Sequence, residues 1–562
     1  MSKNEWMGAA LAIAASSACS QAAPPTAGDV LRQVQPSQAP QPKPSALPNI
    51  GGVALPPPLG RLPAGGAVAM VDRVVVEGNR VIGSEELQAR VSPKASSSMT
   101  LAKMEQLASE LTLYYRDRGY FVARAYVPAQ DLTDGKLVLR IVEGNYGRFI
   151  LDNRSLVRDD VVQALLDDIK GRDIVSLDTL ERAMLIINDT PGVKVVRADV
   201  MPGQAVGTSD FAVGTEATAR YDGYAMLDNY GSRYTGKDRL SFNGDWNSPT
   251  GHGDRLSLGG LVTTTGGLLN LRAAYSTLVH ANGTRMEGVL SRTTYSLGDT
   301  YKPLDAVGTA DSFELNLTSP IKRTRNANVE LGAGLAHREL DDQTRSVGTQ
   351  VRKHSDAISL RVNGNWTHDL FGSTGFTQVS AAVTVGHLGF SDNVAAMQDA
   401  AGAKTSGDWS KLNLSLMRIT MLPADWQLSL SARAQHVLNN KNLDGSERLS
   451  VSGPGAVMAY PSGELAGDNA VVLRGELSRP IGTWYDVHYT GSAYCAWAVA
   501  GAAQPLLPQN HARHLGDVGV NLDAAMGKFT GRLTIAHRVQ GGPAQSEPSS
   551  ATVLLVQVGM TF

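Results

Sequence analysis

The chain has 562 residues, a formal net charge of −2, 58 glycines and only 19% charged residues. That length implies several domains or one large barrel with accessories, and near-neutral charge excludes the basic footprint of a nucleic-acid binder. Its two cysteines, Cys19 and Cys495, exclude a disulfide framework or a cysteine zinc site once a leader carrying Cys19 is removed.

Residues 1–23 read as a secretory signal peptide. Lys3 supplies the positive region and Met7 to Ala18 the apolar region, with small residues at Ala18-Cys19-Ser20 or Ser20-Gln21-Ala22 for cleavage. Ser16 sits where a lipid-attachment motif at Cys19 needs a larger aliphatic residue, which argues against lipidation. No later stretch approaches the about 18 uncharged apolar residues of a membrane-spanning helix. An exported chain of this kind is periplasmic, secreted or a barrel.

Residues 24–35 can form a short amphipathic helix around Val30 and Val34. Residues 36–69 form a linker with prolines at 36, 40, 42, 44, 48, 56, 57, 58 and 63, which favour an extended, semi-rigid chain. Residues 70–144 read β-α-α-β-β: a strand Val71 to Glu77, helices opening at Ser84 and after Thr100, then strands Phe121 to Pro128 and Lys136 to Glu143. Residues 145–209 repeat the plan, with a final strand Val193 to Val200.

From 210 to 562 the pattern becomes period-two alternation broken by Gly, Asn and Asp, as in Leu428-Ser429-Leu430-Ser431. At roughly 20–24 residues per strand and loop, this predicts a transmembrane antiparallel barrel of about 16 strands, apolar outside and polar inside. The last segment puts Leu554, Val556, Val558, Met560 and Phe562 on one face, the pattern of a lipid-facing strand; with its terminal aromatic it resembles the last strand of a bacterial outer-membrane barrel, which in that class also serves as an assembly signal. A soluble sandwich array is the alternative, but it would carry longer apolar runs. His511 and His514 have metal-ligand spacing without a third ligand, and read as part of a solvated loop. No nucleophile constellation or phosphate-cradling glycine loop is present, so the reading is a non-enzyme without cofactor or metal.

Several strings in this order resemble the two-partner secretion transporters (TpsB; haemolysin-activator and filamentous-haemagglutinin transporters), relatives of the barrel-assembly protein BamA. The first module resembles a POTRA domain through Val76-Glu77-Gly78-Asn79, Tyr114-Tyr115 to Gly119-Tyr120 and Val142-Glu143-Gly144. The second does so through Leu180 to Ala183, Asn188 to Val193 and Gly207 to Asp210. Asp228, Asn229, Gly231, Arg233, Tyr234 and Gly236 resemble the family's first-strand motif.

The family's lumenal loop corresponds to Gly453, Pro454, Val457, Met458, Ala459, Tyr460, Pro461, Gly463 and Glu464. The resemblance implies an arginine at Met458 and a partner aspartate at Ala496, in a strand containing Tyr494. Both are absent, which predicts an apolar loop anchor of low pH sensitivity, since losing both halves of an ion pair costs little while losing one strands a charge.

What the family implies is an outer-membrane pore with periplasmic modules that exports a large TpsA-type partner, such as an adhesin, haemolysin or toxin. Further partners are outer-membrane lipid, and periplasmic chaperones with the barrel-assembly machinery for its own insertion. Substrate would pair with edge strands at Phe121, Val122, Ala125, Tyr126 and Val127, and at Val193, Val195 and Val196, while the helix at Val30 to Val34 plugs the resting pore. An insertase like BamA, a degenerate barrel or a passive channel are the alternatives.

Overall fold

A computed structural model of the chain describes residues 24–34, 68–92, 97–172, 174–370, 372–505 and 512–562. The expected signal peptide, nearly all of the expected linker and His511 lie outside the described residues.

The first module opens with β1 (Val68–Val71), so it begins two residues before the expected boundary. It continues with β2 (Arg73–Glu77), α2 (Ser84–Val91), β3 (Ser97–Thr100), α3 (Leu101–Asp117), β4 (Arg124–Tyr126) and β5 (Lys136–Val142); α1 is the earlier helix Ala27–Leu31. β1 and β3 form a small ribbon, and the main sheet has the order β2-β5-β4. Leu107, Leu111 and Tyr115 recur on the buried face of α3 and pack on Val74, Leu137 and Leu139 of the sheet.

The second and third strings that carry the POTRA resemblance, and the two residues that follow the first, meet at Glu143, which is 3% exposed. Its carboxylate accepts the Arg80 and Val81 amides at 2.7 and 2.9 Å and the Tyr115 hydroxyl at 2.9 Å. Burial and the adjacent Glu143 push the Tyr115 phenol well up. The turn at Gly78 needs glycine: its φ is +91°, and a Cβ there would run into the Ile141 carbonyl.

The second module contains β6 (Asn145–Arg154), α4 (Asp159–Asp167), α5 (Leu177–Asn188), β7 (Lys194–Pro202) and β8 (Thr208–Glu216), with sheet order β6-β8-β7. The boundary expected at 209/210 is therefore corrected. β8 is the central strand of this sheet, and its alternating pattern resembles barrel texture because both kinds of strand obey the same period of two. Asp210 on β8 accepts the Arg148 amide at 2.8 Å, and that bond holds its carboxyl below the ordinary range. The modules are joined by Leu177 N–H to Gly119 O at 2.9 Å and Val175 N–H to Gly144 O at 3.0 Å.

The barrel follows with β9 (Tyr221–Asp228), β10 (Arg239–Asn247), β11 (Arg255–Thr263), β12 (Leu268–Leu278), β13 (Arg285–Ser296) and β14 (Ala306–Arg323). Then come β15 (Ala327–Thr344), β16 (Thr349–Leu370), β17 (Ser373–Phe390), β18 (Gly407–Met421) and β19 (Gln427–Val437). A ribbon of β20 (Leu449–Ser450) and β21 (Ala466–Gly467) brackets an inward loop. The wall resumes with β22 (Asn469–Trp484), β23 (Val487–Gly501), β24 (Arg513–Met526), β25 (Phe529–Gln540) and β26 (Thr552–Thr561).

Sixteen of these strands close an antiparallel barrel, each beside its neighbour in sequence, with β26 returning to β9. Closure leaves no unpaired sheet edge in lipid, which is what the bilayer demands. Leu554, Val556, Val558, Met560 and Phe562 are all outward and exposed, as the alternation predicts. Phe562 exchanges two backbone hydrogen bonds with Gly223, and its ring covers the space a Gly223 side chain would need. His514 lies in β24 with its ring 5.7 Å from that of Trp497, so it is a wall residue and not part of a loop.

Candidate functional site: the occupied barrel lumen

Three short segments converge inside the barrel: α1, the loop between β20 and β21, and the turn after β9. Thr26 caps α1 in a capping box with Asp29, which explains a helix of so few residues. A 3-10 turn, Arg32–Val34, continues it. Ala27 and Val30 are buried among Tyr234, Leu268, Tyr295, Tyr301 and Leu340 of the wall and outer turns.

Polar contacts fix its orientation. The Ala27 amide donates to Asp342 at 2.7 Å, an oxygen that also accepts the Tyr295 hydroxyl at 2.6 Å. Arg239 donates to the Gln33 carbonyl at 3.0 Å. Gly28 backs onto Gly445 in the 3-10 turn Gly445–Glu447. That turn is held to the wall by ion pairs of Asp444 with Lys353 at 2.6 Å and of Glu447 with Lys411 at 2.8 Å, and Glu447 also pairs with Arg338.

The loop runs inward from the outer end, and Val457, Met458, Ala459 and Tyr460 are buried. Met458 and Ala496 belong to one apolar cluster with Val472, Tyr494 and Leu515, so the two missing charges do face a common core. The anchor is nevertheless not apolar. Asp517 on β24, directly opposite Ala496 in register, accepts the Ala459 amide at 2.8 Å and the Tyr494 hydroxyl at 3.1 Å. Arg538 on β25 donates to the Ala459 carbonyl at 2.8 Å and lies 4.6 Å over the Tyr460 ring.

The Tyr460 hydroxyl donates to the Gln540 and Gly542 carbonyls at 2.8 and 2.7 Å. Glu464 pairs with Arg513 at 2.5 Å and accepts the Gln545 and Ser546 amides at 2.8 Å. Gly453 bonds the Val457 carbonyl through its amide at 3.0 Å, and Pro454, Pro461 and Gly463 shape the remaining turns. The carboxylate that meets the loop lies one strand along from Ala496, at Asp517, and accepts from the loop backbone and from Tyr494. Two carboxylates thus tie the loop down, which overturns the expectation of an anchor made by packing alone. The signal for Asp517 was Leu515-Gly516-Asp517-Val518-Gly519, an x-Asp-x-Gly string with leucine in the aromatic position.

Of the first-strand motif only Asp228 lies in a strand; Asn229 to Gly236 form the turn that follows. Asp228 pairs with Arg239 through two contacts of 2.7 and 3.1 Å, and both side chains are buried. Since Arg239 also holds Gln33, the motif connects the wall to α1. The Asn229 side chain accepts the Val556 amide at 2.9 Å and donates to the Leu554 carbonyl at 3.1 Å, extending the β9–β26 seam. The Gly231 amide bonds Lys237 O at 2.8 Å and the Gly236 amide bonds Ser232 O at 2.8 Å. Arg233 pairs with Asp299, and the Tyr234 and Tyr301 rings lie 4.7 Å apart.

The two expected edge strands, β4 and β7, do lie at the edges of their sheets. The strand at Phe121–Pro128 shrinks to Arg124–Tyr126, because Phe121 and Val122 turn away to pack on the second module. The Ala125 amide is already taken by Thr112 Oγ at 2.9 Å, and Val127 packs on the first module's core. On β7, Val195, like the preceding Val193, is fully buried, and a bulge separates Val195 from Arg197. Val196 and Tyr126 are both exposed, to 38% and 37%.

The second module sits on the barrel's inner rim. Asp189 pairs with Arg323 through two contacts of 2.6 and 2.7 Å, and Glu181 with Arg325 at 2.8 Å. The Arg158 amide bonds the Gly251 carbonyl at 2.9 Å. A closed transmembrane barrel with a plugged lumen and paired α/β modules at one mouth defines an outer-membrane transporter with its modules in the periplasm.

The comparisons agree. Residues 207–494 match the family described as haemolysin secretion/activation protein ShlB/FhaC/HecB, and residues 70–144 match the ShlB-type POTRA domain. The chain is 25% identical to the heme/hemopexin transporter protein HuxB of Haemophilus influenzae strain 86-028NP, over 72% of this chain and 71% of the relative. It is 24% identical to the outer membrane transporter CdiB of Escherichia coli strain 536, over 77% and 72%. The solved structure of CdiB from Escherichia coli superposes with a TM-score of 0.72 at 21% identity, covering 90% of this chain and 92% of that one. The chain belongs to the ShlB/FhaC/HecB family of two-partner secretion transporters, which export partner proteins across the outer membrane.

Proposed function

We propose that the chain captures a large TpsA-type polypeptide in extended form along β7 and passes it through the barrel once α1 has left the lumen. The observation that carries this is the manner in which the lumen is filled. α1 is joined to the first module through residues 35–67 and is held by one amide, one carbonyl, the close contact of Gly28 with the Gly445 turn, and the apolar side chains of Ala27, Val30, Leu31 and Val34. β7 is favoured over β4 because it is longer and presents Val196 and Met201 beside its open edge, while β4 has an amide satisfied by Thr112.

Asp517, Arg538 and Glu464 brace the loop against the wall while the chain moves. Folding of the partner outside drives the transfer. The relatives' names concern haem/haemopexin and haemolysin transport, and we take from them only a large secreted partner.

The test is co-expression with a TpsA-type partner and assay of that partner in the medium, comparing wild type, a deletion of 68–216 and Val196→Asp. Secretion abolished by the deletion and reduced by Val196→Asp supports capture on β7. Full secretion by Val196→Asp with a folded barrel rejects β7, and an inserted barrel that releases no partner rejects the export reading.

A further inference from the structure

The outer wall of the barrel carries a feature that transport of a polypeptide does not use. On the lipid side of β10 to β14, Phe242, Leu258, Leu271, Leu290 and Phe313 wall a crevice of about 660 Å³, which Ala273 leaves shallow of side chains. Arg292, Asp311, His337 and Glu339 line the same crevice, at its end remote from the periplasmic modules.

Register explains this arrangement. Arg292, Asp311, Glu339 and His354 fall in one cross-strand row. His337, Asp356, His387 and Asp408 fill the adjacent row. The next outward-facing row toward the periplasm is Leu315, Leu335, Ile358 and Val385, wholly apolar. The charged rows therefore sit where the hydrocarbon ends on the outer leaflet, the depth at which charged side chains reach headgroups.

Arg292 shares the outward parity of Leu290, which is 60% exposed. Its nearest carboxylate oxygen, on Asp311, is 3.6 Å away, too far for a hydrogen bond. Among the described residues Arg292 donates no hydrogen bond, so a planar fork of donors faces the headgroup layer.

The geometry points to a binding site for a phosphorylated, multiply acylated glycolipid of the outer leaflet, its acyl chains in the crevice and its phosphate on Arg292, beside a His337 ring that is held by Asp356 at 2.7 Å. Apolar walls oriented along the strands fit acyl chains, and the guanidinium fork fits a phosphate. Asp311 and Glu339 meet the divalent counter-ions that such phosphates carry. The assignment rests on the outer-membrane location and not on the route of the exported partner.

The test uses the full chain, delipidated in detergent and offered three lipids: a bisphosphorylated hexa-acyl glycolipid, the same glycolipid without phosphates, and phosphatidylglycerol. Native mass spectrometry reads the lipid retained. Retention of the bisphosphorylated form about tenfold above both others is expected, with a similar loss in Arg292→Gln and in the crevice-filling Ala273→Trp. Val520→Trp, on the opposite arc of the outer wall, leaves retention unchanged.

Equal retention of the two glycolipids, or of phosphatidylglycerol and the glycolipid, overturns the proposal. So does unchanged retention in a folded Arg292→Gln. Should that variant or Ala273→Trp fail to insert, the wild-type comparison of the three lipids decides alone.

Discussion

Gly28 is the position at which the plug is most open to a decisive perturbation. A Cβ added there would lie 2.6 Å from Asp444 Oδ1, 2.6 Å from the Ser446 amide nitrogen and 3.1 Å from the Gly445 carbonyl carbon. Two of these neighbours are backbone, in a turn whose Asp444 is paired with Lys353, so little can give way. Overpacking of this kind costs about 1–3 kcal/mol. If the seated and released states of α1 are in equilibrium, Gly28→Ala raises the released fraction by roughly 5- to 150-fold, at tenfold per 1.4 kcal/mol.

Planar-bilayer conductance of the purified protein reads that fraction as open events. Gly445→Ala attacks the contact from the other side, where its Cβ would meet Asp29 at 2.8 Å, and it should reproduce the effect. Gly83→Ala, with nothing within 4 Å, serves as the neutral control. A folded Gly28→Ala barrel with wild-type conductance would show that α1 does not seal the pore through this contact.

Tyr115→Phe removes a hydroxyl bonded to the buried Glu143 and should destabilise the first module by roughly 1.5–3 kcal/mol, read by pulse proteolysis in urea; an unchanged midpoint refutes the Glu143 hub. Ala496→Asp places a second carboxylate opposite Asp517 and should loosen the loop by about 3–5 kcal/mol, seen as cleavage within 452–464 by added protease. Met458→Arg alone brings its charge toward Asp517 and should be the milder change, so the reverse ranking rejects the anchor described here. Because the folded-state pKa of Asp210 is depressed, its contribution to stability is present above the ordinary carboxylate range and is lost as pH falls through the folded value. The second module should therefore lose exchange protection in acid, and Asp210→Asn should flatten that dependence; an unaltered acid profile in the variant excludes Asp210 as its source.

Period-two alternation sustained over about 350 residues without long apolar runs made the barrel and its outward face legible, since lipid on one side and a polar lumen on the other impose that pattern on strands such as Leu554 to Phe562. The same rule hid the boundary of the second module, since Phe211 and Val213 on β8 alternate just as barrel residues do. Edge positions could be inferred for β4 and β7, but not whether their amides were free: Thr112 Oγ reaches Ala125 across 13 residues of sequence. The lumenal loop was legible as a motif, and Met458 and Ala496 fall in the same apolar cluster. Asp517 and Arg538 were missed because compensation occurred on other strands, and only register puts Asp517 opposite Ala496. Nor does any local pattern bring Gly28 against Gly445.

The seam between β9 and β26 has a bearing on how the barrel is made. Every other wall contact joins strands that follow one another around the wall, and the longest connection among them is the inward loop between β19 and β22. The seam alone joins residues 327 positions apart at Asn229 and Val556. Closing a flexible loop of that size costs about 5 kcal/mol of chain entropy. Against this stand the register of Tyr224–Asp228 with Gln557–Thr561, the reciprocal Gly223–Phe562 bonds and the Asn229 amide. A wall without this seam is a curved ribbon with two unpaired edges, so these few contacts are what separate an open sheet from a sealed cylinder.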